Sequence, residues 1–144
     1  MFLGYWNNPA ATSAKFVGDW LLTGDQGVED EAGWFRFVGR DDDVITSAGY
    51  RIGPGEIEDC LLQHPAVAMV AVIGLPDALR TEAVTAIVVP AQGVAADAAL
   101  ATRLQVHVKT RLAAHSYPRH VIFQDALPLT ATGKVMRGEL PQAA

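Results

Sequence analysis

The chain has 144 residues, half of them apolar, with a formal net charge of −5. That length holds one domain, or one domain with a piece of another, and enough apolar mass for a real core. The acidic balance argues against a nucleic-acid or anionic-membrane partner, which needs a basic face, and the longest apolar stretch, around Val67 to Leu75, is far short of the ~20 residues that cross a bilayer.

The start has neither a basic run nor a long apolar segment, so no signal peptide is expected there. Asn7-Asn8-Pro9 marks a turn, followed by a short helical pattern. Trp20 to Thr23 reads as a strand ended by Gly24-Asp25, and Val28 to Gly33 as a polar turn. Trp34 to Val38 alternates and is aromatic, which predicts a second strand pairing with the first across a loop of several residues. Gly39 to Asp43 is a charged connector.

Val44 to Ser47 and Tyr50 to Ile52 form a small predicted hairpin turned at Ala48-Gly49. Pro54 opens a helix, with Ile57, Leu61 and Leu62 at helical spacing, and His64-Pro65 ends it. Glu56, Glu58 and Asp59 put negative charge in its N-terminal half, which suits the helix dipole. Val67 to Gly74 and Val84 to Val89 are β-branched runs and the expected central strands. Asp97 caps a helix expected to run to about Ala113, with Leu100, Leu104, Val108 and Leu112 on one face. Arg119 to Phe123 is a last strand, Leu127 to Gly133 a loop, and a short tail helix follows Lys134.

The fold class expected from these elements is α+β: a small mixed sheet with packed helices, preceded by a β-hairpin-containing N-terminal remnant. The divisions are residues 1–39, a hinge at 40–43, and a domain over 44–144.

Several residue groups invite a chemical reading. Thr130 to Lys134 ends in Gly-Lys, but a phosphate-binding loop needs an earlier glycine and a hydroxyl after the lysine, where Pro128 and Val135 stand. What is left is a lysine on a glycine-containing loop, and on spacing alone a solvated surface lysine is the favoured reading. Asp25, just past a predicted strand, could accept two hydrogen bonds from a ribose diol, or could simply be a turn aspartate. Arg40 and Arg51 could meet phosphate oxygens, or pair with Asp41, Asp42 and Asp43 at about 0–1 kcal/mol each. His64, His107, His115 and His120 have no metal-ligand spacing, so no metal site is expected. Cys60, the one cysteine, builds no disulfide framework and reads as a packing residue in a reducing, cytoplasmic protein.

Together the blocks carry more than each alone. Thr23-Gly24-Asp25, Gly39-Arg40 with Asp42-Asp43 and Ile45, Gly49-Tyr50-Arg51-Ile52, Glu56-Ile57-Glu58, and Pro128 with Thr130, Gly133, Lys134 and Arg137 stand in the order and spacing of the adenylate-forming superfamily. The chain resembles the C-terminal part of an AMP-forming acyl-CoA synthetase. Gly4 to Pro9 and Tyr50 to Pro54 look most like the short- and medium-chain type.

The resemblance implies a two-step reaction in which acid and ATP give acyl-adenylate and pyrophosphate, and CoA thiol then displaces AMP. It implies Lys134 as the adenylation lysine on a mobile lid, and Asp25, Arg40 and Arg51 as nucleotide-binding residues. Asp42 would be the hinge, and Ala48, Gly49, Tyr50 and Arg80 would line the CoA path. Thr81 departs from the pattern, which has glycine there, and His115-Ser116 lacks the lysine often found before Tyr-Pro-Arg.

ATP, AMP and CoA are implied as substrates, with Mg2+ held through an N-terminal AMP-binding domain that also supplies the acyl pocket. Residues 1–39 would be the end of that domain, and these 144 residues alone are expected to be inactive and excised from something longer. Acetylation of Lys134 by a lysine acetyltransferase is implied as well. Two other readings remain open: an adenylation domain loading a carrier-protein thiol, and a stand-alone domain binding CoA or a partner.

Overall fold

The computed structural model describes residues 2–141. It divides into two compact units, Met1–Asp42 and Asp43–Ala144.

The first unit is built from short elements. Helix α1 (Pro9–Ser13) starts where Asn8 Oδ1 accepts the Ala11 amide at 3.0 Å and Pro9 supplies a preset φ. Strands β1 (Phe16–Val17) and β2 (Trp20–Leu21) pair antiparallel. Strands β3 (Asp25–Glu29) and β4 (Phe35–Arg40) form the longer hairpin.

This corrects two expectations. The partner of the aromatic strand is Asp25–Glu29, not Trp20–Thr23, and Gly39-Arg40 is strand rather than connector. Gly27 and a register shift at Gln26/Gly27 break the alternation that signals a strand, so β3 was hidden in the sequence. The turn is set by Asp30, whose Oδ1 accepts the Ala32 and Trp34 amides at 2.9 Å each. Trp6, Trp34, Phe35 and Phe37 are exposed, and among the described residues of this unit only Gly39 is buried.

The second unit has a core. Its elements are β5 (Ile45–Ser47), β6 (Tyr50–Ile52), α2 (Pro54–Leu62), β7 (Val67–Asp77), β8 (Thr81–Pro90), α3 (Ala98–Lys109) and β9 (His120–Phe123). The sheet runs β6-β5-β8-β7, with β9 parallel to β8 from Thr85 to Val88. All other pairs are antiparallel, so the sheet is mixed as expected.

Alternation along the central strands sends side chains to opposite faces. Val70, Val72, Val84, Ala86 and Val88 meet Ile57 and Leu61 of α2 and Leu100, Leu104 and Val108 of α3. Ala71, Ile73, Leu75 and Ile87 meet Leu127 and Leu140 of the C-terminal segment. Each of the buried Val, Leu and Ile side chains among these contributes roughly 1.5–3 kcal/mol of transfer free energy. The helices thus cover one face and the tail covers the other.

Asp97 caps α3 by accepting the Leu100 amide at 2.7 Å. The helix stops at Lys109, short of Ala113, with Thr110 as its C-terminal cap. After Lys134 the chain makes only a 3₁₀ turn, Arg137–Glu139. Among the described residues no helix is long and apolar enough to cross a membrane.

Candidate functional site

The terminal loop presents Lys134 by local geometry. Leu129 and Val135 form an antiparallel bridge. The Thr130 amide donates to Lys134 O at 2.8 Å, and the Lys134 amide returns a bond to Thr130 Oγ1 at 3.0 Å. Gly133 turns the chain at φ +81, where a side chain would be strained. Residues 130–134 are all exposed, so the lysine is held at its backbone and its amine stands in solvent.

Within the first unit, Asp25 and Arg40 are register partners on β3 and β4. Arg40 Nη1 lies 3.4 Å from Asp25 Oδ1, and Arg40 Nε lies 3.3 Å from Asp42 Oδ1. Asp25, Arg40 and Asp42, three of the four residues expected to serve the nucleotide and the hinge, therefore form one charge cluster, and the fourth, Arg51, belongs to the second unit. The Asp42 carboxyl is held below its ordinary range, first by a backbone amide bond and then by Arg40.

Within the second unit, Ala48 (φ +51) and Gly49 (φ +84) form a two-residue turn of the I′ type between β5 and β6. Nothing lies within 4 Å of a Cβ placed on Gly49, so its backbone is open to approach. Arg51 pairs with Thr46 across that hairpin. The Ala48 amide donates to Arg80 O at 2.9 Å, and Ser47 pairs with Thr81. Four residues expected along the CoA path, Ala48, Gly49, Tyr50 and Arg80, thus gather at one end of the sheet.

Two further contacts lock that end. Glu82 Oε2 accepts the Thr46 amide at 2.5 Å, and Ser47 Oγ donates to Glu82 O at 2.6 Å. Asp77 Oδ1 accepts the Leu79 and Arg80 amides at 2.9 and 2.8 Å and lies 3.7 Å from Arg80 Nη1. The amide of Leu79 is the leading cause that holds the Asp77 carboxyl below its ordinary range.

Sequence reasoning missed several partners. His115 stacks flat on Tyr50, with centroids 4.1 Å apart and planes 3° from parallel. Arg119 lies 4.1 Å over the Tyr117 ring and Lys109 lies 5.5 Å from it. His64 and His107 meet edge to face at 5.1 Å although they lie 43 positions apart in sequence. Arg137 spans to Asp43 and Glu58. Arg137 left a signal in the Gly-Lys-x-x-Arg pattern and Tyr117 and Arg119 in Tyr-Pro-Arg; the contacts themselves exist only after folding.

Cys60 is buried, as its helical position suggested, and burial raises its thiol pKa. Among the described residues no three His, Cys, Asp or Glu side chains converge as a metal-ligand set.

A small α+β module with two covered sheet faces and a lysine on a hydrogen-bonded terminal loop is the class these features define. The chain belongs to the AMP-binding enzyme C-terminal domain family, whose model matches residues 56–134. It is 49% identical over 142 residues to the mitochondrial acyl-coenzyme A synthetase ACSM2 of Rattus norvegicus, covering 97% of this chain and 25% of that protein.

Among solved structures it is similar to an ATP-bound RpMatB-BxBclM chimera, at 40% identity and TM-score 0.82, over 95% of this chain and 27% of the other. The anthranilate CoA ligase AuaEII in complex with anthranoyl-AMP matches at 37% identity and TM-score 0.82, with the same coverages. The chain spans about a quarter of the length of the curated relatives it matches.

Proposed function

We propose that these residues are the mobile C-terminal part of an enzyme that converts a carboxylic acid, ATP and CoA to acyl-CoA, AMP and pyrophosphate through an acyl-adenylate. In the first step negative charge gathers on phosphoryl oxygens, and a positioned cation lowers that barrier. Lys134 supplies it. The observation that carries this reading is the Thr130–Lys134 hydrogen-bond pair around Gly133, which fixes the backbone while leaving the amine exposed.

Asp25 accepts the ribose hydroxyls, with Arg40 supporting it from the facing strand, and Arg51 meets ATP or AMP. Asp42 carries the backbone rotation that exchanges one pose for the other. In the second pose the open backbone at Gly49, with Ala48 and Tyr50, borders the CoA arm, and Arg80 meets a CoA phosphate. ATP and CoA are substrates. Mg2+, the acyl pocket and most of the nucleotide pocket belong to an N-terminal domain, so the 144 residues alone turn nothing over.

The identity of almost half the chain to an acyl-coenzyme A synthetase favours CoA over a carrier-protein thiol as acceptor. The lone, buried Cys60 suits a reducing compartment, and we assign the cytoplasm. The rat relative is named mitochondrial, and cell fractionation distinguishes the two.

The test is to assay the half-reactions separately in a full-length synthetase carrying this sequence. Lys134→Ala should lower acyl-adenylate formation by about 100-fold or more, the size of losing one charge-stabilising donor. Transfer from supplied acyl-adenylate to CoA should remain. An unchanged first step would refute the assignment.

A further inference from the structure

Arg137 stands three residues after Lys134, and no role above uses it. Its Nη2 donates to Glu58 Oε1 at 2.6 Å, and its Nη1 lies 3.6 Å from Asp43 Oδ2. The three side chains are mostly covered, at 27%, 18% and 24% exposure for Arg137, Glu58 and Asp43. Glu58 Oε1 also accepts the Val72 amide at 2.8 Å, so this carboxylate ties α2, the central sheet and the tail together. The Nε of Arg137 is buried and meets no acceptor.

The contacts around Lys134 divide in two. The hydrogen bonds and the bridge that shape its loop run only between residues 128 and 136. They set the loop's form but not its place on the domain. Placement rests on the burial of Leu127 and Leu140, on Val135 packed against the same cluster, and on the Arg137 ion pairs. Apolar burial is non-directional, whereas a guanidinium held by two carboxylates fixes distance and direction. One of those carboxylates, Asp43, directly follows Asp42, the residue proposed above as the hinge.

We propose that Arg137 is a positioning residue that pins the Lys134 loop to Asp43 and Glu58, so that rotation at the hinge carries the lysine as one rigid piece. This rests on the reading of Lys134 as the adenylation lysine. A loop free to drift by an ångström loses the lysine's contact with the reacting phosphoryl group while leaving the CoA-transfer pose intact.

The experiment uses the full-length synthetase with four single variants: Lys134→Ala, Arg137→Gln, Arg137→Lys and Glu58→Gln. Adenylation and transfer from supplied acyl-adenylate to CoA are measured separately, with thermal unfolding alongside. Arg137→Gln should lower the kcat of adenylation by about 10- to 100-fold, the scale of an ångström-sized misplacement, with the KM for ATP and the transfer step changed less than about twofold. Glu58→Gln keeps an oxygen for the Val72 amide but removes the charge, and should act in the same direction. Arg137→Lys retains the charge for one carboxylate and should fall between, which keeps the proposal testable if Arg137→Gln does not fold.

Equal losses in both half-reactions would make Arg137 merely structural and overturn the proposal. So would unchanged adenylation in Arg137→Gln and Arg137→Lys while Lys134→Ala loses it. Unchanged adenylation in Lys134→Ala would instead refute the functional reading, and this proposal with it.

Discussion

Replacing Thr81 by glycine should stabilise the second unit. Thr81 sits at φ +72, in the left-handed region, where a β-branched side chain is a genuine outlier. The left-handed conformation costs an L residue about 1–2 kcal/mol. Thr81 is exposed, so its side chain returns little packing. Glycine removes the strain but adds unfolded-state freedom worth about 0.4–1 kcal/mol. The net is a gain of roughly 0.5–1 kcal/mol, or about 3–5 °C in Tm for a unit of some hundred residues. Urea unfolding followed by circular dichroism should show a higher midpoint at unchanged slope. Thr81→Ala, which relieves branching but not the left-handed penalty, should gain less. A Thr81→Gly protein no more stable than Thr81→Ala would refute the strain argument.

Gly74→Ala should act in the opposite sense. A Cβ at Gly74 would lie 2.7 Å from Glu82 Cδ, and Glu82 cannot swing aside without leaving the Thr46 amide it accepts. Overpacking and the lost bond together predict a loss of about 1–3 kcal/mol, read from the urea midpoint, and an unchanged midpoint would count against it. The His64 imidazole predicts a pH effect. Burial first, then His107, Arg103 and Arg111, hold its pKa below the ordinary value. The folded chain then binds fewer protons than the unfolded chain below about pH 6.5, so this contribution is complete above that pH and is lost as pH falls through the window. Tm should drop between pH 7.5 and pH 5.5, and His64→Asn should drop less; parallel curves for the two would exclude His64 as the source.

The second unit was legible because its signals agree. β-branched apolar runs gave β7 and β8, Asp97 and the four-residue apolar spacing gave α3, and Ala48-Gly49 gave its hairpin. The first unit was not, because its strands are short, two residues each for β1 and β2, and β3 carries a glycine and a register shift. Such strands take their pairing from neighbours rather than from their own pattern. The loop carrying Lys134 was legible as Gly-Lys. Its placement was not, since Arg137 reaches Glu58 across 79 positions of sequence, a pairing that only the folded sheet brings about.

Thr81 and Ala48 also belong together. They are the non-glycine residues at positive φ among the described residues of the second unit, and the Ser47–Thr81 pair and the Ala48–Arg80 bond place them side by side. One of these turns has glycine as its second residue, and the other lacks the glycine usual in the related pattern. The difference follows from where the load falls. The Ala48 turn is a two-residue hairpin that needs positive φ at both positions, and Gly49 takes the second without cost. At Thr81 the same demand falls on a branched residue, held there by Asp77 capping the amides of Leu79 and Arg80 and by Glu82 fixing β5. Strain that neighbours hold in place tends to gather where a backbone must keep an unusual shape for a ligand. Here it lies at the end of the sheet proposed to border CoA. Relieving it at Thr81 is therefore expected to raise stability while altering the affinity for CoA, and not the adenylation step.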